Sequence, residues 1–203
     1  MSTPPDPVVV YPGVAAFGSL AAALRAEVGG RLGVAVVRSS DSAPLPHATV
    51  ASVLPYREPL RISAWHYEQR WSISGTESSV GATLIEGTTD DLAEVAKAAW
   101  AWHDGEPLRG IRQTAPFVHL TGRFEVPDHD PARLAESEWQ CMRQEAAELE
   151  VDWQEAYQAL IEAAYAEPSL RALFPFQEPL GTALLDYHPP DRDHRRTMPD
   201  RER

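Results

Sequence analysis

The stretch "LRISAWHYEQRWSIS", Leu60–Ser74, contains two runs in which apolar and polar residues alternate. In the first run, Ile62, Ala64 and His66 fall on one face of an extended chain, and Arg61, Ser63, Trp65 and Tyr67 on the other. In the second, Trp71 and Ile73 share a face. The connection is too short for a crossover helix, so the two runs read as antiparallel neighbours. "HATVASVL" (47–54) precedes them and "GATLIEG" (81–87) follows, again with short links. The block reads as an antiparallel meander with one face that helices must cover.

Outward from this block, the flanks change period. "LAAALRAEV" (20–28) reads as a helix with Ser19 as N-cap, stopped by Gly29 and Gly30. "GVAVV" (33–37) reads as a short buried strand, and Val8 to Tyr11 as a short edge strand. On the other side, "TTDDLAEVAKAAWAWHDG" (88–105) reads as a helix capped by Thr88 or Thr89 and ended at Gly105. Its apolar stripe is Leu92, Val95, Ala96, Ala99 and Trp102. A short helical turn and an extended segment near Phe117 follow.

The last third is helical. Asp130 caps a helix with Pro131 in its first position, and Ala135, Trp139, Met142, Ala146 and Leu149 form its stripe. The next helix places Trp153, Ala156, Tyr157, Leu160, Ile161 and Ala164 in its stripe, and Pro168 ends it. "TALLDY" reads as a last strand. The expected fold class is α+β: an antiparallel sheet of about four to five strands packed by helices, with a helical C-terminal half. The expected organisation is a loose tail over 1–7, one domain over 8–187 and a disordered tail over 188–203, where little can be buried.

Composition narrows the function. The net charge of −12 argues against nucleic acid or an anionic membrane as the partner. Seventeen arginines against one lysine, with no asparagine, fit the codon bias of a high-GC bacterial genome and not anion recognition. Cys141 is the single cysteine, which excludes an intrachain disulfide and suits a reducing cytoplasm. No run approaches the roughly 18 apolar residues of a membrane helix. The N-terminus lacks the basic and apolar regions of a secretory signal.

No motif fixes a reaction. None of the seven histidines pairs with another at the helical zinc spacing, so no metal is expected, although the fold itself could assemble His66, His103 and a carboxylate. There is no nucleophile elbow, no P-loop and no dinucleotide fingerprint, so no cofactor is expected and catalytic residues are unassigned. Cys141 beside the apolar helix stripe reads as packing.

One region combines aromatic and polar groups. Trp100 lies about 200° from Trp102 around the helix, with His103 near it. Either the segment from Glu106 to Leu120 folds over both, or they line a groove with Arg109, Arg112 or His119. Trp65 and His66 on the sheet offer a similar mixture. The candidate binding residues are therefore Trp65, His66, Trp100, His103, Arg109, Arg112 and His119.

"EGTTDDLAEVAKAAWAWHDGEPLRGIRQTAPFVHL" (86–120) resembles a bacterial family of uncharacterised domains from high-GC genomes, whose members are labelled natural product biosynthesis proteins. "AWHYEQRWSISG", the later "EWQ" and "AYAEPSLRALFPF" also resemble it, so the likeness spans roughly residues 47–178. Beyond Phe176, "QEPLGTALLDY" departs from the aromatic, strand-like residues of the relatives. The resemblance implies association with secondary-metabolite gene clusters and supplies no catalytic residues.

The leading expectation is a cytoplasmic accessory protein that binds a small molecule, a peptide or a protein partner. One alternative is a small enzyme working by acid–base chemistry with His66, His103 or His119. Another is an immunity-type interaction module whose acidic surface meets a basic partner.

Overall fold

The computed structural model describes residues 5–34, 36–178 and 181–185, with 176–185 described by backbone alone. The tail expected over 188–203 and the first residues of the expected N-terminal tail lie outside the described residues. The chain forms two compact units, Met1–Pro127 and Asp128–Arg203.

The first unit opens with two short helices, α1 (Pro7–Val10) and α2 (Pro12–Ala15), followed by α3 (Leu20–Glu27). The edge strand expected at Val8–Tyr11 is thus helical. Asp6 accepts the Val8 N–H at 2.9 Å and Pro7 presets the first helical φ, so the chain starts as a helical turn. The sheet consists of β1 (Val37–Ser39), β2 (His47–Val50), β3 (Leu60–Ala64), β4 (Trp71–Thr76), β5 (Thr83–Thr89) and β6 (Val118–Leu120). The strands lie in sequence order and every pair is antiparallel, so the meander holds. It has six strands where four to five were expected, because the extended segment after Phe117 pairs with β5 as β6. The first strand also starts later than expected. The Val36 and Val37 N–H groups bond back to the Gly33 carbonyl, a turn-type pattern that precedes the pairing that begins at Val37↔Val50.

Helices α4 (Leu92–His103) and α5 (Leu108–Thr114) complete this unit. The cap of α4 is Asp91, not Thr88 or Thr89. Those threonines still pair with β4, so their backbone is extended, and Asp91 accepts the Ala93 N–H at 2.8 Å. Alternation along β3 and β4 buries Leu60, Ile62, Trp71 and Ile73, and α3 and α4 cover that face. Trp102 is fully buried in this core. Its ring approaches Gly75 so closely that a Cβ there would sit 2.6 Å from Cζ3. The Arg57 guanidinium lies over the same ring, 4.6 Å from its centroid. Arg57 has no exposed side-chain surface, pairs with Glu125 at 2.6 Å and donates to the Glu106 carbonyl at 2.7 Å.

The second unit contains α6 (Pro131–Glu148), α7 (Gln154–Ala166), α8 (Pro168–Arg171) and a hairpin of β7 (Phe174–Glu178) and β8 (Gly181–Leu185). Asp130 caps α6 and Pro131 opens it, as expected. The core between the two long helices is Trp139, Met142, Ala146 and Ile161, with Tyr157, Ala164 and Tyr165 packed on it. The expected stripe of α7 is corrected at three positions, Trp153, Ala156 and Leu160, all of which are exposed. Trp153 is 57% exposed and Leu160 62%. The buried face is centred on Ile161, about 100° round from Leu160. Among the described residues, no helix is long and apolar enough to cross a membrane.

Candidate functional site

Among the described residues, three concavities on the first unit are open to ligands. The largest of these three is a groove of about 570 Å³ where the end of α3 meets α4 and α5. Gly29 and Gly30 end α3 with φ of 61° and 77°, a conformation that glycine adopts without strain. Val28, Gly29 and Arg31 of this turn form one wall, and Lys97 and Trp100 of α4 the other, with Thr114 at the end of α5. Trp100 is half-buried: part of it packs against the core, and the rest faces the groove. Lys97 holds Glu94 at 2.6 Å. That hydrogen bond raises the Lys97 pKa and keeps the amine charged.

Glu27 borders both this groove and a second pocket of about 220 Å³. That pocket is aromatic, with walls from Tyr11, Phe17 and Trp71, closed by Gln69 and Leu92. Tyr11 and Trp71 pack with ring centroids 5.3 Å apart. The Tyr11 hydroxyl lies 2.8 Å from the Trp65 and Glu68 carbonyls and 2.9 Å from that of Arg70, so one phenol pins the whole β3–β4 turn. Burial of Tyr11 pushes its pKa up, so it stays a donor. The Trp71 Nε1–H is buried without a hydrogen-bond partner among the described residues.

The third concavity, of about 240 Å³, lies on the open face of β1–β3 and includes Arg38, His47, Thr49 and Arg61.

The seven residues singled out from sequence are placed as follows. Trp100 lines the large groove. His103 is half-buried, with its ring centroid 6.0 Å from that of Trp100 and its Nδ1 2.7 Å from the Ala51 carbonyl oxygen, where it ties α4 to the chain leaving β2. Arg109 and Arg112 are exposed on α5, and His119 is exposed on the edge strand β6 opposite Glu86. Trp65 and His66 are exposed in the β3–β4 turn, with the Arg70 guanidinium 4.9 Å from the Trp65 ring centroid. Of these seven residues, Trp100 alone lines the groove, and His103, Arg109, Arg112 and His119 are not among its lining residues. Ile111, Ala115 and Val118 are buried beside α4, yet Trp100 keeps a face on the groove.

Arg31, Lys97 and Thr114 were not singled out from sequence. They come from three separate elements, and no spacing links them. The only signal was the glycine pair after α3, which marks a turn able to approach a ligand closely. Among the described residues, no group of three or more His, Cys, Asp or Glu converges as a metal site. Cys141 is buried and donates its thiol to Glu145 at 3.2 Å.

The profile of a family of unknown function (DUF6193) matches residues 133–180, which run from α6 to the end of β7. That stretch is similar to an uncharacterised domain, covers less than half of the chain and includes none of the groove residues. No curated protein and no solved structure matches the chain.

Proposed function

We propose that this is a cytoplasmic bacterial accessory protein that binds a small ligand in the groove beside Trp100, in the service of natural product biosynthesis. One observation carries the reading: an aromatic wall, a cation and a hydroxyl (Trp100, Arg31 and Thr114) meet in one groove of about 570 Å³, beside the Glu94-paired Lys97 and with Glu27 on its border. That volume lies in the range of about 300–1,000 Å³ typical of small-molecule sites. The groups suit a ligand with a flat apolar portion, which stacks on the indole, and a carboxylate or similar acceptor, which Arg31 holds. The adjoining aromatic pocket extends the apolar surface past Glu27. The biosynthetic setting rests on the resemblance of residues 47–178 to proteins with that label.

Native mass spectrometry of the protein isolated from the cells that make it tests this reading. The expected result is a retained small molecule, lost in the Trp100→Ala variant while the fold persists. A retained protein partner with no small molecule would contradict it and favour the interaction-module alternative. Retention unchanged in Trp100→Ala would place the site elsewhere.

A further inference from the structure

The sheet face away from α3 and α4 carries a second recognition feature, independent of the Trp100 groove. Outward positions on β1, β2 and β3 line up across the strands: Arg38 pairs with Thr49, and Thr49 with Arg61. Two strand spacings separate the arginines, roughly 10 Å between their backbones. Both side chains are long enough to reach a point above Thr49. In the next row, His47 Nδ1 and Ser63 Oγ are 3.2 Å apart. All five residues line one hollow of about 240 Å³.

A plain structural role does not account for this arrangement. An outward arginine opposite a carboxylate on a neighbouring strand forms a stabilising pair. Here the neighbours of Arg61 are Thr49 and Ser74, and the first carboxylate in that row, Glu86, is one strand further on. Among the described residues, neither Arg38 nor Arg61 forms an ion pair, whereas Arg57, Arg70 and Lys97 of the same unit do. Two unneutralised guanidinium groups therefore flank one hydroxyl in a chain of net charge −12. The overall field repels anions, so an anion held here must be held by local geometry.

We propose that this hollow binds the phosphoryl group of a small phosphate ester. Arginine presents paired N–H donors that match two oxygens of a tetrahedral oxyanion. Arg38 and Arg61 grip the phosphoryl oxygens from opposite sides, while Thr49 donates from below and His47 and Ser63 border the ester side. The hollow is smaller than a typical drug-sized site, so it takes the phosphoryl head and leaves the carrier exposed.

Isothermal titration of the full chain with phenyl phosphate, and separately with inorganic phosphate, tests the assignment. Saturable binding is expected, weakened by roughly tenfold or more in both Arg38→Gln and Arg61→Gln, about 1.4 kcal/mol for each tenfold. Arg109→Gln, on exposed α5, should bind as the unmodified protein does, and so should Trp100→Ala, which separates this site from the proposed ligand groove. Circular dichroism that is unchanged in the variants shows that the loss is local. Absence of saturation with either probe, or equal weakening in Arg109→Gln, would overturn the proposal. Binding of a long polyanion without binding of phenyl phosphate would overturn it too, because the contacts would then be diffuse and not those of a phosphoryl site.

Discussion

Trp100 and Trp102 sit two positions apart on one helix and have opposite fates. Trp102 is fully buried, its Nε1–H donates to the Glu58 carbonyl at 3.2 Å, and Gly75 leaves room for its ring. Trp102→Ala should cost about 3–5 kcal/mol, the range for truncating a large aromatic in a packed core. Urea unfolding measures it, and a cost within about 0.5 kcal/mol, as for a surface change, would refute the packing described here. The separation of the two indoles was legible in sequence, because angular position on a helix follows from spacing alone. Arg57 was not legible. Its burial depends on Glu125, which is 68 positions away, and on a carbonyl of the α4–α5 turn, and no periodic signal connects these partners.

At the level of elements, periodicity served well where one face was clearly apolar. The strand alternation, the Ser19 and Asp130 caps and the glycine stop of α3 all follow from local chemistry. It failed on α7, whose apolar arc is wider than the surface α6 offers, so spacing could not decide between Leu160 and Ile161. Packing decided it, through an aromatic and ionic cluster. Tyr165 donates to Glu136 at 2.7 Å, and the guanidinium of Arg143 lies 4.5 Å from the Tyr165 ring centroid while pairing with Glu162. The Tyr165 hydrogen bond holds the Glu136 carboxyl below its usual pKa. A carboxylate with a depressed folded-state pKa stabilises above its unfolded value, near 4.3, and that contribution is lost as pH falls through the folded value. Glu136→Gln should therefore be less stable than the unmodified protein near neutral pH, and the gap should close as pH falls through the lowered folded-state value, in acid below the ordinary carboxylate range. Urea midpoints at the two pH values check this, and a gap independent of pH would show that the carboxylate charge plays no part.

Across the whole molecule, charge and recognition are unevenly placed. Residues 128–178 carry twelve carboxylates against three arginines, while the three concavities described above lie on the first unit. Net charge alone could not foresee this, because a composition averages an acidic helical segment with a nearly balanced sheet unit. The fold class was open to sequence reasoning, since short links between alternating runs permit few topologies. The groove was open to it only through Trp100, because Arg31, Lys97 and Thr114 come from three separate elements that meet only after folding. The six tryptophans provide a direct test of whether that groove binds ligand. Each indole N–H gives its own signal in a nitrogen–proton correlation spectrum, which can be followed while metabolite extract from the producing cells is added. Ligand in the groove should move the Trp100 signal most, shift Trp71 at the adjoining pocket less, and leave Trp102 and Trp139 in place. Movement confined to the exposed Trp153 or Trp65, with Trp100 unchanged, would contradict it.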